Sequence, residues 1–108
     1  MTRQAEANLV RRIQLAVRQA YPHAWVRKIS DRFARGVPDL LVVVPARAPC
    51  CGLPQAAVLF VETKSEGGRL APIQRAEHEK IMAAGGAVLV TRDVADVLLA
   101  LGRAGARR

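Results

Sequence analysis

The stretch RGVPDLLVVV, Arg35 to Val44, decides the fold. It sets a carboxylate, Asp39, after Gly-Val-Pro and directly before an unbroken apolar run. A second stretch, AVLFVETK from Ala57 to Lys64, ends a similar run in Glu62 and Lys64. Short apolar runs rich in β-branched residues and bounded by glycine and proline read as strands. The unbroken run after Asp39 predicts a strand covered on both faces. Burying charge is costly unless it is paired or holds a metal. Two strands with charged ends in a chain of 108 residues therefore need a common explanation.

Outward from these strands the pattern is regular. From Ala5 to Ala20, the residues Leu9, Val10, Ile13, Val17 and Ala20 recur at helical spacing, with Arg11, Arg12, Arg18 and Gln19 on the polar side. At about 100° per residue, Glu6 falls inside the apolar stripe, unless it merely ends the helix in solvent, favoured by the helix dipole. WVRKIS, Trp25 to Ser30, alternates as a half-buried strand, and DRFARG follows as a loop. PARAPCCGLPQ, Pro45 to Gln55, is a proline-punctuated surface hairpin loop without assignable chemistry. After the glycine-rich turn SEGGRL, Pro72 starts a helix running to about Ala84, which Gly85 and Gly86 end. Ala87 to Val90 is a fourth strand. Asp93 caps a helix from Val94 to Leu101, and residues 102–108 form a mobile basic tail. The order is α-β-β-β-α-β-α in a single α/β domain. The first three strands fit an antiparallel meander, and the fourth runs parallel to the third through a helical crossover.

Apolar residues make up 51% of the chain, which excludes disorder throughout, and aromatics only 4%, so the core is aliphatic. The net charge is +8, from 17 basic and 9 acidic residues, with lysine only at Lys28, Lys64 and Lys80. Arginine forks match phosphate geometry, so a polyanionic partner explains this excess; a merely solvated arginine surface is the alternative. No apolar run approaches membrane-span length, and the N-terminus lacks a signal-peptide core. Adjacent Cys50 and Cys51 fit neither a disulfide framework nor a zinc knuckle and suit a reducing cytoplasm.

In a strand, Glu62 and Lys64 point to one face. Asp39 begins the neighbouring strand of the meander, so its carboxylate lies close to that of Glu62. Two carboxylates forced together need a cation, or one takes up a proton. Oxygen ligands in an open site suit Mg²⁺ or Mn²⁺. Lys64 beside them orients water and neutralises charge on a scissile phosphate.

GVPD (Gly36 to Asp39) followed by ETK (Glu62 to Lys64) resembles the PD-(D/E)xK phosphodiesterase signature. More narrowly, RGVPDLLVV…VLFVETKSEGGRLAPIQ resembles the VRR-Nuc domain, whose pattern adds a glutamine matched by Gln74. The resemblance covers nearly the whole chain. It implies a restriction-endonuclease-like αβββαβ core with a C-terminal helix, in the cytoplasm of a bacterial or phage-infected cell. It implies that Asp39, Glu62 and the Thr63 backbone carbonyl hold Mg²⁺ or Mn²⁺, with Glu6 acting through water and Gln74 pointing at the sheet. It also implies a homodimer that cuts branched DNA such as four-way (Holliday) junctions. The chain departs from the pattern at Ala71, where a serine often caps the second helix. His78, one turn beyond Gln74, is read as supporting the site rather than shuttling protons. Trp25 and Phe33 are read as core or dimer contacts rather than base-stacking groups. Arg32, Arg35 and Arg69 flank the motif loops as phosphate contacts. The competing functions are a non-catalytic DNA-binding adaptor and a restriction-type duplex endonuclease.

Overall fold

The computed structural model describes residues 2–30, 35–46 and 55–108. The elements run α1 (Thr2–Ala20), β1 (Trp25–Lys28), β2 (Leu40–Pro45), β3 (Ala56–Thr63), α2 (Pro72–Ala83), β4 (Val88–Thr91) and α3 (Val94–Arg103). The four strands form one sheet in the order β1-β2-β3-β4. The first two pairings are antiparallel and the third is parallel. This is the mixed sheet that the element order predicts. Most of the Pro45–Gln55 loop lies outside the described residues, as do Cys50, Cys51, Arg32 and Phe33.

One sheet face carries the core. Leu40, Val42 and Val44 of β2 and Ala57, Leu59 and Val61 of β3 are buried with Leu9, Val10, Ile13 and Val17 of α1 and Val97 and Leu101 of α3. Each valine, leucine or isoleucine among them contributes roughly 1.5–3 kcal/mol on full burial. Coverage of β2 on both faces is not what forms: Leu41 and Val43 are only half-buried. The second face is covered by α2 only towards the carboxyl end of β3, because α2 is short and reaches the sheet through Gln74 and His78.

The segment 102–108 is not a free tail. It is helical to Arg103, and the amide of Arg107 then donates to the Pro45 carbonyl at 2.6 Å beside an Ala46–Ala106 bridge. Gly105, with φ +84°, turns the chain back towards the end of β2.

Gly36 fixes where α2 meets the Asp39 loop. Its φ is +81°, and a Cβ placed there would lie 2.5 Å from the Ile73 carbonyl oxygen. Both the left-handed backbone and the close approach exclude a side chain. Gly36→Ala is therefore expected to destabilise the protein by about 1–3 kcal/mol, read as a lowered urea midpoint. An unchanged midpoint would show that the loop and α2 separate freely.

Candidate active site

Asp39 precedes β2 and points at the end of β3. Its Oδ2 accepts hydrogen bonds from the Thr63 amide and the Thr63 hydroxyl, both at 2.7 Å, and its Oδ1 accepts from the Ser30 hydroxyl at 3.3 Å. Two donors fill Oδ2, so Oδ1 keeps the spare acceptor capacity. The pairing Leu40↔Val61 sets this geometry, since it leaves Asp39 opposite the last residues of β3.

Thr63 faces the core and is 1% exposed, whereas Glu62 and Lys64 face the other way, at 2% and 9% exposed. Strand alternation thus sends Thr63 to hold Asp39 and Glu62 to meet α2. Glu62 Oε1 lies 3.0 Å from His78 Nε2, and Glu62 Oε2 accepts from Gln74 Nε2 at 3.4 Å. Gln74 does two things at once. Its Oε1 accepts from the Ala71 amide at 2.9 Å, which turns its NH₂ towards Glu62. Ala71 offers no side-chain oxygen, so this is half of a capping box, and the half that remains orients the site.

Burial, and then the adjacent charge and hydrogen bond of Asp39, push the Glu62 carboxyl up from 4.5 to about 8, against the opposing pull of Lys64. Burial, and then the Lys64 charge, push His78 down. Both shifts act against an ion pair between Glu62 and His78, because burial disfavours the charged form of each. Glu6, half-buried on α1, accepts from the Ser65 amide at 3.1 Å and the Ser65 hydroxyl at 3.3 Å. It lies near enough to Glu62 to add to the upward push.

These positions place the residues singled out in the sequence. Asp39 lies near enough to Glu62 to push its carboxyl up and Lys64 near enough to pull it down, while Gln74 donates to Glu62 directly. Glu6 is on the same side of the molecule, committed to Ser65. The helix begins at Thr2, so Glu6 sits in its second turn rather than at a solvated end. Arg35 and Arg69 are exposed and do not line the cleft of about 370 Å³ that contains Glu6, Ser30, Asp39 and Thr63; its cations among the described residues are Arg11 and Lys28. Ser30, Ser65 and the Thr63 hydroxyl were not singled out. Short hydroxyl residues next to a motif carry no distinguishing pattern, and only the ring closure of the fold gives them partners.

The donor set can be tested for a divalent cation. Among the described residues, no group of three or more acidic, histidine or cysteine side chains is arranged to enclose an ion. Asp39 lines an open cleft, and behind it the Glu62 carboxyl is pushed up by burial and by the Asp39 charge where no cation compensates. Mg²⁺ is usually held by one or two carboxylates and several waters rather than by an all-protein cage. The residues fit such an ion, and a softer metal would find no sulfur donor among them.

Comparison with known proteins identifies the family. The VRR-NUC domain pattern matches residues 2–95. A solved structure of a VRR_NUC domain superimposes with a TM-score of 0.63 at 30% identity, covering 88% of this chain and 91% of that one. The protein named "Putative nuclease p44", from Acyrthosiphon pisum secondary endosymbiont phage 1, is 36% identical over 69 residues. That match takes in 62% of this chain and 64% of the phage protein's length. The chain belongs to the VRR-NUC domain family.

Proposed function

We propose that this chain is a divalent-metal-dependent endonuclease of the PD-(D/E)xK type that hydrolyses DNA phosphodiester bonds, acting as a homodimer on branched DNA such as four-way junctions. The observation that carries the reading is the meeting of Asp39 and Glu62 at neighbouring strand ends, beside the buried amine of Lys64, in a VRR-NUC chain. Asp39, Glu62 and the Thr63 carbonyl would hold Mg²⁺ or Mn²⁺, which would supply Lewis acidity at the phosphate and for activating water. Lys64 supplies a fixed positive charge for the developing phosphate charge, in a site where little water screens it. His78 and Gln74 hold Glu62 by one oxygen each, and Glu6 fixes the turn that follows Lys64. The homodimer is supported by exposed apolar side chains on both layers, Leu15 and Leu99 on the helices and Val58 on the sheet.

Labelled single strand, duplex, flap and four-way junction, incubated with Mg²⁺, Mn²⁺ or EDTA, test the reading. Cleavage of the junction by symmetric nicks, lost in EDTA, is the expected result, with a dimer mass by light scattering. Binding without cleavage under either metal would replace the reading with an adaptor module. Cutting of linear duplex at one sequence would replace it with a restriction-type enzyme.

A further inference from the structure

On the other side of Glu6 from the Asp39 cleft lies a separate cavity of about 490 Å³, lined by Arg12, Lys64, Ser65, Glu66 and Arg92. No residue lines both. The Glu6–Ser65 hydrogen bonds join a wall of one to a wall of the other. Neighbours in sequence diverge here. A helix turns about 100° per residue, so Arg11 lines the Asp39 cleft and Arg12 this cavity. Thr63 and Lys64 of the motif part in the same way.

Arg92 follows β4 and is exposed, yet its guanidinium is fixed. Its Nε donates to the Ser65 carbonyl at 3.2 Å and its Nη2 to the Gly68 carbonyl. Those bonds use one edge of the fork. Among the described residues the end-on edge, Nη1 with the outer Nη2 hydrogen, donates to nothing. A fork held in this way has already lost the rotamer freedom that binding would cost it. Arg12 is exposed as well, and among the described residues neither arginine lies within salt-bridge distance of a carboxylate. Two arginines thus share the cavity with one carboxylate, Glu66, and neither pairs with it. Bracing the 65–68 turn needs Arg92 alone and leaves Arg12 unexplained. An open guanidinium edge beside a second cation suits two oxygens of a phosphate.

We propose that Arg92 and Arg12 bind a phosphate of the DNA backbone that flanks the scissile one, on the far side of Glu6 from the Asp39 cleft. The strand being cut then crosses the end of β3, with a bound phosphate beyond Lys64. The proposal rests on the nuclease reading and assigns the path that the DNA backbone takes past the site.

Fluorescence anisotropy of a labelled four-way junction, titrated with protein in EDTA at several salt concentrations, tests the site. Arg12→Gln and Arg92→Gln should each weaken binding about tenfold and reduce the salt slope by about one. Glu66→Gln, which removes the opposing charge, should tighten binding about threefold, a gain that damage to the turn would not give. The bound phosphate is not the one cut, so saturating Arg12→Gln protein with Mn²⁺ should bring single-turnover cleavage to within about twofold of the wild type. Arg103→Gln, exposed at the end of α3, should leave affinity and slope unchanged. Thermal melts check that each variant is folded. A loss confined to Arg92→Gln, with a lowered melting temperature and no change in Arg12→Gln or Glu66→Gln, would reduce Arg92 to a brace for the turn and overturn the site. Unchanged affinity and slope in both arginine variants, while the wild type still cuts DNA, would overturn it and leave the nuclease reading standing. Failure of the wild type to bind or cut any DNA with Mn²⁺ would remove both readings.

Discussion

Lys64→Met is expected to slow DNA cleavage by about a hundredfold to a thousandfold, the loss typical of one fixed electrostatic group at a developing charge. The substitution keeps most of the side chain's volume and removes its amine from a position only 9% exposed. It also removes the one influence that holds the Glu62 carboxyl down, so Glu62 binds its proton more tightly and competes less well for a cation. Asp39→Asn should be at least as damaging, because it removes a charged ligand while keeping an acceptor for Thr63. Asp39→Ala is the poorer test. It leaves the Thr63 amide and hydroxyl without their 2.7 Å partner, at a cost of about 1–3 kcal/mol for an unsatisfied buried donor. Single-turnover cleavage of a junction, with thermal melts alongside, measures both effects. Full activity in either Lys64→Met or Asp39→Asn would remove the site assignment.

Mn²⁺ or Mg²⁺ is expected to stabilise the protein strongly at pH 8.5 and hardly at all at pH 5. The sign follows from Glu62. Its folded pKa, about 8, is above its ordinary 4.5, so the folded state binds the proton more tightly than the unfolded chain does. The stability from this difference is fully present below pH 4.5 and is lost as pH rises through about 8. In EDTA the melting temperature should therefore fall between pH 5 and pH 8.5. A divalent cation needs the deprotonated carboxylate, so its affinity should rise about tenfold per pH unit up to roughly pH 8 and then level off. At a hundred times its dissociation constant, a cation adds about 2.7 kcal/mol, and each kcal/mol is worth about 4–8 °C in a domain of this size. Scanning calorimetry of the wild type and Glu62→Gln, with and without Mn²⁺, separates the contributions. Glu62→Gln should flatten the fall in EDTA and lose the metal effect. A melting temperature indifferent to Mn²⁺ at pH 8.5 would exclude a cation at this site.

Asp39, Glu62, Lys64 and Gln74 were legible as a set because strand alternation and motif spacing are short-range properties. Their supports were not. Ser30 lies 9 residues from Asp39 in sequence and Ser65 lies 59 from Glu6, and no local pattern encodes such a pairing. His78 appeared at helical spacing from Gln74, but its bond to Glu62 depends on how closely α2 approaches the sheet. Gly36 permits that approach. The cations lining the cleft were not legible: the register of β1 brings up Lys28 and the pitch of α1 brings up Arg11, and neither lies beside the motif in sequence.

The amino-acid sequence by itself determined the element order, the aliphatic core and the placement of an acid at each of two strand ends, because these follow from periodicity, turn residues and composition. Tertiary structure alone decided that the Glu62 carboxyl is pushed up, that one oxygen of Glu6 bonds Ser65, and that residues 106 and 107 return to the end of β2. Each of these depends on distances between residues far apart in the chain. Burial and Coulomb interaction act through space, and the folded sheet is what sets that space.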